Sequence, residues 1–392
     1  MAPSRAETRS SITRPTEARC WAEINLGKLR QNAQSCREWG GTSRGIMAIV
    51  KADAYGHGLE SVVGALAEDV TWFGVANLRE AQRVSEALGE LLVPILILSP
   101  ATPDEIEPIV TGGFAGSVSN LEELAHYAKA ALDSNLSALL HVVVDTGMGR
   151  MGVLPEDLPE LVAAIRESPG CVLQGIETHF PSADEDEAFT RSQIETFSSL
   201  MDKLSLPESC QVHLCNSAGL LQFQNVTSFA TLTRPGLALY GISPLDDLSE
   251  KLMPTLSLKS RITLIRDLPA GSSISYGRTY ITPKATTVAT LGVGYGDGYP
   301  RHLSNASAEV LIQGRRCPVL GRVTMDQTVV DIGHLESKPE VGDTAVLIGT
   351  SESESITATE LAHKAGTIPW EILTGITDRV ERVYFDSDET DA

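Results

Sequence analysis

The sequence lacks several features that mark common classes of protein. Its six cysteines include no CxxC pair, which argues against a structural zinc site and is typical of a reducing compartment. Its longest apolar runs, such as Leu91 to Leu98, are far too short to span a bilayer. The first residues contain no apolar core of a secretory signal peptide. We therefore expect a cytoplasmic protein that does not associate with membranes.

Basic residues are scarce beside acidic ones. The chain has 31 Lys and Arg against 51 Asp and Glu, which gives a formal net charge of −20. Such a protein repels the phosphates of nucleic acid and of anionic lipid surfaces. We expect neither as a partner, and an anionic cofactor would have to be held by local donors.

The length of 392 residues suggests two domains. From about residue 46 to residue 240, apolar runs of strand length alternate with helical patterns, as in a parallel sheet closed into a (β/α)8 TIM barrel. A doubly wound sheet fits the same alternation. Beyond residue 244, short β-rich runs separated by Gly and Pro turns predict a mainly-β domain. The predicted segments are a disordered extension (1–19), a barrel domain (20–244, whose first strand, 21–25, is a candidate to pack with the second domain), a mainly-β domain (245–385) and an acidic tail (386–392).

The most informative stretch surrounds Lys51. The apolar strand Ile46 to Val50 ends in this lysine, and Gly56-His57-Gly58 follows. A barrel strand that ends in lysine places the amine where such proteins build their sites, and partial desolvation would make it nucleophilic toward an aldehyde. Tyr55 is close enough to bind a phosphate or to orient the lysine. The same spacing also fits a solvated lysine beside a structural tyrosine.

The nine-residue segment from Val50 to Gly58, VKADAYGHG, resembles the pyridoxal 5'-phosphate (PLP) attachment segment of the alanine racemases. Further segments between Trp21 and Tyr384 also match that family. The resemblance implies that Lys51 carries PLP and later acts as a catalytic base. It also implies that Tyr55 contacts the cofactor phosphate.

A glycine-rich segment, Asp145 to Gly152, follows the predicted strand that ends at Val144. Its glycines would allow Arg150 to fold back over the strand end, although a surface loop with a solvated arginine fits equally well. The segment resembles a racemase motif whose arginine binds the phenolic oxygen of PLP and the substrate carboxylate. Many members of the family have a carbamylated lysine two residues before the aspartate, and this lysine holds the arginine. Here that position is Val143, so either another polar group or an anion orients Arg150, or its position is looser.

Two further residues follow barrel strands. His179, in Thr178-His179-Phe180, resembles the family histidine that links an arginine to the catalytic tyrosine, although a lone histidine at a strand end is more often structural. Arg234-Pro235-Gly236-Leu237 resembles a phosphate-binding segment of the family. The resemblance places Arg234 at the pyridine nitrogen, where a permanently charged guanidinium makes PLP a weaker electron sink. It places Gly236 and Leu237 at the phosphate.

Asn216 and Ser217 follow another strand and open a helix. A hydroxyl and N–H groups at a helix start suit a phosphate. An ordinary helix cap would have the same sequence. The resemblance assigns both residues to cofactor binding.

Three segments of the second domain also resemble racemase motifs, around Tyr276, Tyr295 and Met325. Racemisation needs a base on each face of the α-carbon. The resemblance implies Lys51 on one face and Tyr276 on the other, donated by the partner in a head-to-tail homodimer. It also implies that Tyr295 lines the substrate entrance and that the Met325 N–H binds the substrate carboxylate. Without the resemblance, these would be ordinary hairpin residues.

One C-terminal position departs from the family. Asp378 occupies a position where many racemases have a tyrosine that reaches a phosphate oxygen. An aspartate would repel phosphate, so we do not assign it that role.

The resemblance thus implies a PLP-dependent alanine racemase that interconverts L- and D-alanine by a two-base mechanism and, in a bacterium, supplies D-alanine for peptidoglycan. The alternatives are a racemase of the same fold with broader amino-acid specificity and a PLP-binding protein without turnover. A metal-dependent barrel hydrolase is a further alternative. No HxH motif or metal-binding carboxylate pattern supports this alternative, so we expect no metal site.

Overall fold

A computed structural model describes residues 17–41, 43–245 and 251–386. The predicted extension up to residue 16 and the predicted tail from residue 387 lie outside the described residues. The described chain divides into two compact units. The first, called the barrel unit, comprises residues 29–41, 43–54, 58–245 and 251–253, and the second, called the β unit, comprises residues 17–28, 55–57 and 254–386.

The described chain begins with strand β1 (Cys20–Asn25), which belongs to the β unit. Eight parallel strands then pair in chain order and close into a barrel between residues 45 and 233, where every residue is described. These strands are β2 (Gly45–Ile49), β3 (Trp72–Val75), β4 (Ile95–Ile97), β5 (Ala115–Val118), β6 (Ala138–Val143), β7 (Cys171–Glu177), β8 (Gln211–His213) and β9 (Leu232–Thr233). The ring closes where Gly45 pairs with Leu232 and Ile46 pairs with Thr233. The (β/α)8 barrel is therefore confirmed, and the doubly wound alternative is wrong.

Helices precede and follow the barrel strands. They are α1 (Leu26–Gly40), the single left-handed turn α2 (Lys51–Tyr55), α3 (Leu59–Leu66), α4 (Leu78–Leu88), α5 (Pro103–Thr111), α6 (Leu121–Ser134), α7 (Leu158–Glu167), α8 (Glu187–Lys203) and α9 (Ser217–Phe223). In α4 the buried residues Ala81, Val84 and Leu88 recur at helical spacing, so one face packs inward. The Asn77 side chain caps this helix by accepting from the Glu80 N–H at 3.0 Å.

The β unit is built around one long strand, β10 (Leu256–Leu268). Strand β1 pairs antiparallel with β10 and parallel with the final strand. The remaining elements of this unit are β11 (Ser273–Ile274), β12 (Tyr280–Ile281), β13 (Thr286–Leu291), β14 (Glu309–Ile312), β15 (Arg315–Pro318), β16 (Thr328–Asp331), β17 (Thr344–Ser351), β18 (Glu354–Ile356), α10 (Ala358–Ala365), α11 (Pro369–Thr374) and β19 (Glu381–Phe385). The mainly-β second domain is confirmed.

Strand β1 is held in this sheet by a buried tryptophan. Trp21 is fully buried, and its indole N–H donates to the Glu23 carboxylate at 3.0 Å. The same carboxylate accepts from Lys259 on β10 at 2.6 Å, and the Arg261 guanidinium lies 5.2 Å from the centre of the Trp21 ring. Hydrophobic burial, an ion pair and a cation–π contact thus hold β1 against β10.

Two negative findings concern the described residues alone. Within them, no helix combines the length and the apolar character needed to cross a bilayer. The same ranges contain no cluster of three or more His, Cys, Asp or Glu side chains that would hold a metal ion.

Candidate active site

Lys51 lies at the carboxyl end of β2 and opens a left-handed turn. All four residues Ala52 to Tyr55 have φ between 52° and 54°, a conformation that L-residues avoid. The surrounding chain holds the turn: the Ala52 N–H donates to Glu80 at 2.8 Å, and the Asp53 carboxylate accepts from Arg83 at 2.8 Å. Backbone strain that is overdetermined in this way clusters at functional sites. The sequence did not predict this turn, because it contains no glycine.

The amine of Lys51 is desolvated. Burial lowers its pKa below the ordinary value of a lysine, Arg150 and Arg234 lower it further by charge repulsion, and Glu80 opposes the shift. A lower pKa increases the neutral fraction of the amine at physiological pH. The neutral amine is the form that attacks an aldehyde or accepts a proton.

Arg234 follows β9 and is 3% exposed. Its Nη1 donates to His213 Nδ1 at 2.7 Å, and its Nη2 donates to the Thr178 carbonyl at 2.7 Å and to His179 Nδ1 at 3.3 Å. A guanidinium can only donate, so both histidine Nδ1 atoms must accept and each ring carries its proton on Nε2. His213 Nε2 then donates to His141 Nδ1 at 2.8 Å. The network leaves the Nε2–H of His179 as a donor.

Burial keeps these histidines uncharged. It lowers the pKa of both His141 and His179 to about 3, and the positive charge of Arg234 contributes to both shifts. Burial also places the pKa of His213 well below its ordinary value. Neutral imidazoles agree with the tautomers that the hydrogen bonds of Arg234 require.

Sequence reasoning assigned Asn216, Ser217, Gly236 and Leu237 to phosphate binding, and the structure brings Ser217 and Gly236 into contact. The Ser217 hydroxyl accepts from the Gly236 N–H at 3.0 Å and from the Ala238 N–H at 3.2 Å. Leu237, between those two, is buried. Asn216 caps α9 by accepting from the Gly219 N–H at 2.9 Å. A hydroxyl and two backbone N–H groups that meet in one place match the acceptor oxygens of a phosphate.

Arg150 is presented by a loop that its own glycines shape. The Asp145 carboxylate accepts from the Gly147 N–H at 2.9 Å and the Gly149 N–H at 3.1 Å. The Arg150 side chain is exposed, and it forms no hydrogen bond or ion pair with any residue that the structure describes. Its charge nevertheless lowers the pKa of Lys51, so its loop places it near the strand ends. Val143, at the end of β6, is buried and apolar.

The β unit presents its three predicted site residues on exposed loops. Tyr276, Met325 and Tyr295 are 72%, 52% and 39% exposed. The Tyr295 N–H donates to the Thr324 carbonyl at 3.0 Å, so the loops that carry Tyr295 and Met325 lie together. The Ser275 hydroxyl donates to the Arg322 carbonyl at 2.5 Å and fixes the start of the Tyr276 turn on the segment that leads to Met325.

Tyr55 belongs to the short stretch that groups with the β unit. Its ring is buried, and burial raises the pKa of its phenol to about 12. At physiological pH the phenol therefore keeps its proton and can donate to an anion. The side chain of Asp378, in the same unit, is exposed.

Two family models match nearly the whole described chain. The alanine racemase N-terminal domain matches residues 24–244, and the alanine racemase C-terminal domain matches residues 255–384. The chain belongs to the alanine racemase family. It is therefore an isomerase of this family, as the resemblance in the sequence implied.

Similarity to individual racemases extends over the full length. The alanine racemase of Halothermothrix orenii is 39% identical over 382 residues, which cover 95% of this chain and 97% of the relative. The solved alanine racemase from Streptomyces coelicolor A3(2) has a TM-score of 0.87 at 34% identity and covers 95% of this chain and 99% of its own. The alanine racemase from Bartonella henselae, solved with covalently bound pyridoxal phosphate, has a TM-score of 0.85 at 27% identity, with 94% and 100% covered.

PLP is the cofactor of alanine racemases, and the donor set in this chain fits it. A desolvated lysine amine matches the aldehyde, and the serine hydroxyl and N–H groups around Gly236 match the phosphate. A buried arginine at the barrel end matches a ring nitrogen that is to stay unprotonated. The residues present are therefore chemically suited to the cofactor of the family.

Sequence reasoning missed three buried side chains of the network around Arg234. His213 and His141 extend the Arg234 network inward, and the Glu177 carboxylate lies 3.3 Å from the Arg234 guanidinium. The signal for Glu177 was present, since a single carboxylate ends the strand directly after the apolar Ile176 and before Thr178. A charge in that position is costly unless it is paired.

Proposed function

We propose that this chain interconverts L- and D-alanine with PLP by a two-base mechanism in which Lys51 and Tyr276 act on opposite faces of the substrate. The observation that carries the proposal is the desolvated Lys51 amine at the end of a barrel strand, beside a strained turn that its neighbours hold. Bound PLP supplies an electron-withdrawing ring that acidifies the α-proton of the attached amino acid. The protein supplies the bases and the orientation.

The binding roles follow from the chemistry of each group. Arg234 would face the ring nitrogen with a charge that cannot be neutralised at physiological pH. Arg150 would bind the substrate carboxylate, together with the Met325 N–H, and Tyr295 would line the entrance. The residues assigned to the cofactor phosphate are Tyr55, Asn216, Ser217, Gly236 and Leu237.

The tautomer of His179 supports the role of Tyr276 as a base. Arg234 occupies the Nδ1 of this histidine, so its Nε2–H would donate to a phenol oxygen. A donated hydrogen bond stabilises the ionised phenol, which is the form that removes a proton. In this arrangement His179 positions the base, and Arg234 fixes the orientation of His179.

The active site requires a second copy of the chain in this proposal. Tyr276 and Met325 are exposed in a single chain, and a head-to-tail homodimer would bring them to the Lys51 of the partner subunit. Mixing unfolded Lys51→Ala and Tyr276→Phe chains and refolding them tests this arrangement. Each mixed dimer would contain one intact site, so about a quarter of parental activity should return from two inactive proteins. Failure to recover activity, with mixed dimers verified by a size tag, would contradict shared sites.

The experiment that tests the function itself is a racemisation assay on the purified protein with added PLP. We expect L-alanine to approach an equal mixture of enantiomers, as resolved by chiral chromatography, and the same mixture to form from D-alanine. Rates for a panel of other amino acids would distinguish an alanine racemase from one of broader specificity. A protein that binds PLP and leaves both enantiomers unchanged would contradict the proposal.

We place this activity in the cytoplasm, where D-alanine for peptidoglycan would be produced. In support, each of the six cysteines, all within the described residues, is free. Growth of a bacterial strain that requires D-alanine, when it expresses this chain without any export signal, would support this assignment. Growth that depends on added D-alanine would argue against it.

A further inference from the structure

Glu177 is a buried carboxylate at the carboxyl end of β7, beside the residues already described. Its Cα pairs with that of Val143 on one neighbouring strand and with that of His213 on the other. Residues paired in register on adjacent strands point to the same face of the sheet. The carboxylate is therefore next to the apolar Val143 and belongs to the same face as the Arg234 network.

Only half of this carboxylate has a partner. Its Oε2 lies 3.3 Å from Arg234 Nη1 and 3.7 Å from His213 Nδ1. Its Oε1 is buried and has no hydrogen-bond partner within the described residues. An ionised carboxylate has four acceptor positions, and leaving one oxygen unpaired away from water is costly. The free oxygen therefore indicates that Glu177 has a further partner in the working enzyme.

Arg150 is the cation that fits this oxygen. Its loop follows β6, the strand that pairs with Glu177, and its guanidinium has no partner in the described residues. Burial raises the pKa of Glu177 above its ordinary value, and the charges of Arg234 and Arg150 oppose this shift without cancelling it. Both arginines therefore favour the ionised carboxylate. The side chain of Val143 has no polar atom with which to hold Arg150.

We propose that Glu177 is a positioning residue of this racemase, whose carboxylate fixes Arg234 through Oε2 and draws Arg150 over the strand end through Oε1. The inference rests on the roles proposed above for the two arginines. One glutamate thus aligns the arginine at the cofactor ring with the arginine at the substrate carboxylate. A planar carboxylate that accepts from two guanidinium groups has the geometry and the charge for this task.

The test measures carboxylate binding without turnover. Propionate has the methyl and carboxylate groups of alanine and lacks the amine that would join it to the cofactor, so its affinity for the holoenzyme reports on Arg150. By titration calorimetry, we expect Glu177→Gln to weaken propionate binding about tenfold or more, the loss of one charge-assisted hydrogen bond. Glu177→Asp, which keeps the charge, should recover part of that loss.

The matched control is Glu187→Gln. This glutamate also pairs with an arginine of the barrel unit, Arg191, at 2.7 Å, and it is outside the proposed machinery. Its variant should bind propionate like the parent. In an Arg150→Ala background, Glu177→Gln should cause little further loss, because the two residues act as one unit.

Propionate affinity within twofold of the parent in folded Glu177→Gln holoenzyme would overturn the proposal. If that variant does not fold, Glu177→Asp decides, and parental affinity there would overturn it equally. An additive loss in the Arg150→Ala background would also overturn it. A parent protein that neither binds PLP nor racemises alanine is a different result and would contradict the proposed function instead.

Discussion

Arg234 donates a hydrogen bond of 2.7 Å to Nδ1 of His213, a ring that is itself buried in the barrel unit. This bond requires a neutral His213. His141 must also be neutral, because its Nδ1 accepts a hydrogen bond from His213 at 2.8 Å. The interior of the barrel therefore contains one permanent cation and a chain of imidazoles that cannot be protonated without breaking the network. Low pH should therefore destabilise the network, because it favours protonated imidazoles.

We predict that stability falls as the pH is lowered from 6.5 toward 3, with His141 as a main cause. Burial lowers its folded pKa to about 3, whereas an unfolded histidine titrates near 6.5. Between these values the unfolded state binds a proton that the folded state excludes, so each pH unit costs at most about 1.4 kcal/mol per histidine. Urea unfolding of His141→Gln should show a shallower dependence on pH. His363→Gln, an exposed histidine of α10, should keep the parental slope.

In the left-handed turn after Lys51, replacing alanine by glycine should affect the free energy of unfolding differently from the same replacement inside a helix. Ala52 is exposed and has φ of 52°, which glycine adopts without the steric cost that a Cβ brings. Ala52→Gly should therefore leave the free energy of unfolding unchanged or raise it. Ala125→Gly, at an exposed position inside α6, should lower it by about 1 kcal/mol. Equal losses at both positions would show that the turn is not left-handed in solution.

Much of this architecture could be predicted from local pattern, and the exceptions have physical causes. The apolar run before Lys51 predicted a buried strand. Lys51 marked the end of that strand, because the sequence changes there from apolar to charged within one residue. Closure of the barrel was predicted, but local pattern alone left a doubly wound sheet possible, because closure depends on the two-residue strand β9 meeting Gly45 and Ile46. Local pattern cannot distinguish such a closed ring from an open parallel sheet.

The candidate site also contains residues that the sequence predicted and a residue that it did not. Ser217 and Gly236 were identified by their motifs, and the structure adds that one hydroxyl accepts from two N–H groups. Glu177 was missed because its partner, Arg234, follows β9, which is two strands further along the barrel than β7. Pairing across a barrel depends on the strand register, which the sequence does not display. The domain boundaries and the roles of the individual site residues stay predictions.

Covalent attachment of PLP should depend on Lys51 alone. After borohydride reduction, mass spectrometry of the parent should find the cofactor mass on the peptide that contains Lys51. Lys51→Ala should lose both this adduct and racemisation, because no other amine replaces the desolvated one. Lys129→Ala, which removes an exposed lysine of α6 paired with Asp133, should keep both. An adduct that persists in Lys51→Ala would place the attachment elsewhere.

The two-base assignment predicts that isotope exchange and racemisation separate in Tyr276→Phe. The enantiomers of alanine have equal free energies, so the loss of one base must lower kcat/KM equally in both directions. Proton exchange has no such constraint: Lys51 would still remove the α-proton of D-alanine and return a deuteron to the same face in heavy water. We expect the α-proton signal of D-alanine to disappear at near-parental rates while that of L-alanine persists. Equal exchange of both enantiomers would show that one base serves both faces, and Tyr280→Phe, a tyrosine on β12 with no assigned role, should retain both exchange and racemisation.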